Sequence, residues 1–135
     1  MTELRTTPSR DVELRLAQER NVWLCTLRRD GSPHLTPVWF VYAAETWWIG
    51  CDSRSVKVRN ILADPRVSLA LEGGDAPVVA EGAARVHRGA LPSAVVTVFA
   101  SKYGGWDVSA QVSPEGERVL LEIPVRRWLL AGVAQ

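Results

Sequence analysis

The sequence predicts a mainly β domain in which six antiparallel strands close into a small barrel, accompanied by three short helices. Three observations carry this. The chain has 135 residues, enough for one well-buried core and not comfortably for two. Six runs are rich in β-branched and aromatic residues, and short turn signals separate most of them. Only three segments space their apolar residues as a helix does. Closure is the expected arrangement because it removes exposed strand edges.

In chain order, residues 1–8 are polar, end in Pro8 and read as a loose arm ahead of a single domain over 9–135. Ser9 caps a helix reaching to about Asn21, with Val12, Leu16 and Ala17 on its buried side. VWLCTLR (22–28) is a strand, and Asp30-Gly31 is a hairpin turn. The next strand covers 33–42. Its Pro33 and Pro37 cannot donate to a ladder, so they imply an edge, a bulge or a split in the sheet. TWWIGC (46–51) is the third strand. Asp52-Ser53 then caps a helix running to about Ala63, with Val58, Ile61 and Leu62 as its apolar face, and Asp64-Pro65 stops it. Strands over 66–72 and 78–88 flank a Gly73-Gly74-Asp75 turn. Leu91, Val95, Val98 and Phe99 mark a third helix ended by Gly104-Gly105, residues 106–117 form a loop, and 118–132 are a last strand with an irregularity at Pro124.

Composition excludes several classes. Sixteen basic against fifteen acidic residues give a net charge of +1, which offers no global case for nucleic acid. Two Cys and two His make no recognisable zinc spacing, and Cys25 and Cys51 read as buried thiols in a reducing cytoplasm. The first residues hold no apolar signal region, and no apolar run approaches the ~20 residues of a membrane span. There is no Ser-His-Asp, HExxH or GxGxxG pattern, so catalytic side chains stay unassigned.

Chemistry concentrates at Cys51–Asn60, where a strand gives way to a helix start. Unpaired N–H donors and a partial positive charge there favour a phosphate. Ser53 and Ser55 add hydroxyls, and Arg54 and Lys57 can approach the same side of the first turn. A capped amphipathic helix with solvated basic residues accounts for the same pattern. Trp39, Phe40, Trp47 and Trp48 fall on two neighbouring strands, as core, as subunit interface, or as walls for a planar ring. His34 alternates in phase with Thr36 and Val38 and reads as a hydrogen-bonded surface or interface residue.

GSPHLTPVWF (31–40), SVKVRNI (55–61) and DPRVS (64–68), in that order, resemble the pyridoxamine 5′-phosphate oxidase-like split-barrel superfamily. The branch most resembled is the flavin- and deazaflavin-dependent oxidoreductases that include users of coenzyme F-420. Glu81-Gly82-Ala83-Ala84 is similar to that branch's EG.A strand. The resemblance spans about 12–130 and implies a six-stranded split β-barrel of the FMN-binding type. It also implies a homodimer with two cofactor sites at the subunit interface, and hydride transfer between reduced F-420 and a small hydrophobic or conjugated acceptor. FMN, or a non-catalytic flavin-binding module, is the alternative. By position, the resemblance assigns Ser55 and Lys57 to the cofactor phosphate, with Asn60 just beyond. It lays Thr36, Pro37 and Val38 along the ring with Trp39 beside them, and makes Ile49, Gly50 and Cys51 the neighbouring wall. It brings Lys102, Tyr103 and Trp106 of the partner subunit towards the ring. The C-terminal motif of the oxidases proper is missing from RRWLLAGVAQ, which argues against that named activity. F-420 carries an acidic glutamyl tail, for which Arg28, Arg29, Arg54, Arg59, Arg126 and Arg127 could furnish a basic groove.

Overall fold

The computed structural model describes residues 8–110 and 116–134. The expected arm over 1–8 lies, apart from Pro8, outside the described residues. In order, the elements are α1 (Arg10–Gln18), β1 (Asn21–Leu27), β2 (Pro33–Trp39), β3 (Val41–Ala43), β4 (Thr46–Asp52), α2 (Val56–Ala63), β5 (Arg66–Leu71), β6 (Val78–Ala83), β7 (Arg85–His87), α3 (Ser93–Lys102) and β8 (Arg118–Ala131). All strand pairs are antiparallel. They form one curled sheet in the order β2-β1-β5-β6-β8-β4-β3, with β7 pairing β8 off this path.

Eight strands replace the expected six because two expected runs are each cut once. The run over 33–42 breaks at Phe40, and that over 78–88 breaks at Ala84, whose N–H leaves the ladder to donate to the Pro65 carbonyl (2.8 Å). Nor is the barrel closed: the path ends at β2 and β3, which do not pair, so the fold is a split barrel. The prolines of β2 fit this position, since an edge strand pairs on one side alone.

β8 holds the two halves together. Leu120–Glu122 have β4 on one side and β7 on the other, and Val125–Ala131 run along β6. Two register shifts leave Arg126 and Leu129 without partners on β6, one extra residue at each bulge. Gly82 is required at this crossing. A Cβ there would lie 2.6 Å from the Pro124 carbonyl oxygen, too close for any side chain.

The main core fills the inside of the curl with Val22, Leu24, Phe40, Trp47, Ile49, Leu69, Val119, Leu121 and Ile123, joined by Val12 and Leu16 of α1 and Val58 and Ile61 of α2. Val41, Val95, Phe99, Tyr103, Val108 and Leu120 make a second cluster under α3. β4 and the first half of β8 are therefore buried on both faces. Some expected faces are corrected: Ala17, Leu62 and Val98 are exposed, because each helix touches the sheet along a narrower stripe than its apolar residues cover. α2 also starts later than expected, at Val56 with Ser55 in the capping position. Asp52 instead accepts the Arg54 N–H (2.8 Å).

The break at Phe40 is held by α3. The Phe40 N–H donates to Tyr103 Oη (2.9 Å), and the Lys102 ammonium donates to the Phe40 carbonyl (3.0 Å) and to that of Leu16 (3.2 Å). The Tyr103 hydroxyl, in turn, reaches the carbonyls of Arg20 (2.8 Å) and Phe40 (2.9 Å). Tyr103→Phe strands a buried N–H and should lower stability by about 1–3 kcal/mol. Urea unfolding of the two proteins, compared at equal m-value, measures this, and an unchanged midpoint would show that the break is held otherwise.

Candidate functional site

The end of β4 hands over to α2 through a short loop. The connecting loop is fixed from outside: Ser53 N–H donates to the Glu117 carbonyl (2.8 Å), Glu117 N–H donates to Ser53 Oγ (3.2 Å), and Ser55 N–H donates to the Asp52 carbonyl (3.0 Å). Ser55 Oγ is buried and meets only the Cys51 thiol beside it. Burial pushes the Cys51 thiol up, and the nearby Lys57 charge draws it partway back, so Cys51 stays protonated near neutral pH. Cys51, Ser55 and Lys57 therefore share one corner.

Asn60 follows one turn later. It is nearly buried, and its Nδ2 donates to Thr26 Oγ1 (3.0 Å) across to β1. Register then carries the site to β2, because Thr26 stands opposite His34 and Leu24 opposite Thr36. His34 Nδ1 and Thr36 Oγ1 are buried without partners. Val38 continues the same face and packs against the main core. Thr26 and His34 were absent from the predicted set. Their common phase with Thr36, readable from the Asp30-Gly31 hairpin, is the signal that could have found them.

The remaining predicted residues fall elsewhere. Pro37 and Trp39 occupy the opposite, outward face of β2, as the two-residue pleat requires. Trp39 stacks on Tyr103 (4.4 Å between centroids, 7° between planes) and meets Trp106 edge-on (5.2 Å). The Ile49 and Cys51 side chains point into the core, and the other face of β4 at Gly50 is covered by Trp106 and Val108. A Cβ on Gly50 would collide with the Val108 side chain. Within the chain, then, Lys102, Tyr103 and Trp106 serve the Phe40 break and the Trp39 stack.

Five of the six arginines expected in one basic groove, all but Arg54, divide between two grooves. Arg28, Arg29 and Arg59 line one of about 620 Å³, floored by Val56, Leu62, Ala63 and Asn60. Arg66, Arg126 and Arg127 line another of about 540 Å³ with Cys25, Leu27 and Ser68. In the second, Arg127 is paired with Glu81 (2.7 Å), and Arg66 holds Asp64 (2.7 Å). Among the described residues, no group of three or more His, Cys, Asp or Glu side chains could hold a metal ion, and no helix is long and apolar enough to cross a membrane.

The fold is that of a split-barrel protein, with Cys51, Ser55 and Lys57 grouped at the start of α2. The chain belongs to the pyridoxamine 5′-phosphate oxidase family, whose model matches residues 10–131. Among solved structures it is similar to an F420 reductase, with 20% identity over 86% of this chain and 94% of that one and a TM-score of 0.68. A conserved hypothetical protein from Mycobacterium tuberculosis is similar at 29% identity over 94% and 88%, with a TM-score of 0.73. The heme storage protein HutZ from Vibrio cholerae is similar at 13% identity over 96% and 98%, with a TM-score of 0.74. The first and third likenesses establish the fold alone. No curated protein matches the chain.

Burial moves the Lys102 ammonium down to about 8 from its ordinary 10.5. Between those values the unfolded chain binds more protons than the folded one, so this group makes stability rise with pH from about 8. Tyr42, pushed up to about 12 by burial, acts in the opposite sense above its ordinary value of 10. Thermal melts between pH 8 and 10 should show the rise in the parent, and Lys102→Met should flatten it. An equal slope in both would place the titrating group elsewhere.

Proposed function

We propose that the protein is an oxidoreductase that binds coenzyme F-420 along β2 and the start of α2, and transfers hydride between it and a small hydrophobic or conjugated acceptor. The observation that carries this is the grouping of Ser55, Lys57 and the open N–H groups of α2 at the end of β4, with Thr36 Oγ1 on β2 buried without a partner in the chain. Buried polar groups are ordinarily satisfied, so such a set fits a ligand bearing a phosphate and hydroxyls. FMN shares that phosphate and a flat ring. The groove of Arg28, Arg29 and Arg59 favours F-420, because its acidic tail gives three guanidinium groups something to neutralise.

When bound, a reduced deazaflavin supplies the hydride, and the chain supplies binding, orientation and exclusion of water. Lys57 and the helix start would hold the phosphate, Thr36 and Val38 would face the ring from β2, and Asn60, bonded to Thr26, ties α2 to β1. Burial disfavours the Cys51 thiolate, which supports direct transfer without a covalent enzyme intermediate.

The test is fluorescence titration of the purified protein with F-420 and with FMN. Lys57→Ala removes one charge-assisted contact, which should weaken the bound cofactor roughly ten- to a hundred-fold. Equal affinity in mutant and parent would place the phosphate elsewhere.

We further propose that two copies pair through the outward face of β1 and β2. Trp23 (37%), Leu35 (58%) and Trp39 (38%) stay exposed there, an apolar strip a monomer rarely shows. Light scattering should return a dimer mass, and Leu35→Lys should shift it towards monomer. A stable parent monomer at micromolar concentration would remove the shared-site arrangement.

A further inference from the structure

We infer that the groove on the outward face of β1, β5, β6 and β8 is a binding site for a small apolar molecule that carries one carboxylate, with Arg126 as the group that takes the charge. The groove shares no residue with the corner at the start of α2, so the inference stands apart from the cofactor reading.

The face follows from register. Leu24, Leu69 and Ala80 form one row across β1, β5 and β6 and are buried in the core. The next row, Cys25, Ser68, Glu81 and Arg127, therefore points the other way, out of the curl. On a regular strand Arg126 would face the core whenever Arg127 faces out. It does not, because β8 advances two residues, from Arg127 to Val125, while β6 advances one, from Glu81 to Gly82. Arg126 is the extra residue, and the bulge turns it to the same side as Arg127. Both then line one groove of about 540 Å³ with Arg66, and Cys25, Leu27 and Val67 give it an apolar lining.

Charge decides what fits. Two of the three guanidinium groups are already engaged, Arg127 with Glu81 (2.7 Å) and Arg66 with Asp64 (2.7 Å). Arg126 is exposed and has no hydrogen-bond or ion-pair partner among the described residues. One cation is left over, so the complementary ligand brings one negative charge, and the planar donor fork of a guanidinium matches a carboxylate. The volume falls within the roughly 300–1,000 Å³ of small-molecule sites, and the apolar lining suits a ring or short hydrocarbon behind the carboxylate.

2-Naphthoate and the uncharged 2-naphthylmethanol share a ring system and differ in the carboxylate. Equilibrium dialysis against the full chain should show the acid bound roughly tenfold or more tightly than the alcohol. Arg126→Gln should abolish that preference and leave the affinity for the alcohol within about twofold. Arg85→Gln, an exposed arginine on β7, should change neither. Ser68→Phe, placed in the middle of the outward row, should fill the groove and remove binding of both, with circular dichroism showing that the sheet is intact. Equal affinities of acid and alcohol for the parent, a preference that survives Arg126→Gln, or binding that survives Ser68→Phe would each overturn the inference. A parent that binds no acid, and whose dimer dissociates in Arg126→Gln by light scattering, would give the groove to a second copy of the chain instead.

Discussion

A single residue outside any strand, Phe40, sets much of this architecture. Between β2 and β3 the chain must leave one half of the split sheet for the other, and its backbone there has no ladder to join. Left bare, a buried N–H and C=O would each carry a desolvation cost of about 1–3 kcal/mol. The last turn of α3 and the residue after it supply what is missing: Tyr103 accepts the N–H, and Lys102 donates to the carbonyl while its charge lies over the Phe40 ring (3.6 Å). The same Tyr103 is the floor on which Trp39 stacks, and the Arg20 guanidinium lies near both rings (4.9 and 5.1 Å). Position of α3, end of β2 and orientation of the outward aromatic strip are thus coupled through one junction.

Much of this was legible in the residues. Asp30-Gly31, the Asp64-Pro65 stop and the alternation of VWLCTLR place β1, the start of β2, the end of α2 and the start of β5 to within a residue or two. The corner of Cys51, Ser55 and Lys57 was legible too, because these residues lie within one strand-to-helix step and local geometry brings them together. What was not legible depends on distant partners. The breaks at Phe40 and Ala84 are invisible in an otherwise strand-like run, since what pulls each residue out of the ladder is a group far away in the chain: Tyr103 in one case, the Pro65 carbonyl in the other. The double burial of Val119, Leu120 and Leu121 likewise needs to know that α3 covers the far side of β8.

The site list shows the same division. Thr36–Val38 and Trp39 are neighbours along the chain, yet the pleat sends Pro37 and Trp39 outward and Thr36 and Val38 inward. A contiguous motif is thereby split between the pocket and the surface proposed for pairing. Conversely, His34 and Asn60 are twenty-six positions apart and become neighbours only through Thr26, an ordinary residue with no motif of its own. The polar lining of the pocket is a product of register as much as of residue identity.

The place of β8 in the sheet has a consequence for how the chain reaches this state. Its partners β4, β6 and β7 all precede it in sequence, and two of them are neighbours of nothing else that could tie them to each other across the split. Until residues 118–131 dock, the two halves must wait as separate pieces with unsatisfied edges, and the contacts that join them close loops of dozens of residues. Such a topology folds late and cooperatively, in the slow range typical of non-local β pairing, and its vulnerable interval is the time between synthesis of β4 and arrival of the final strand.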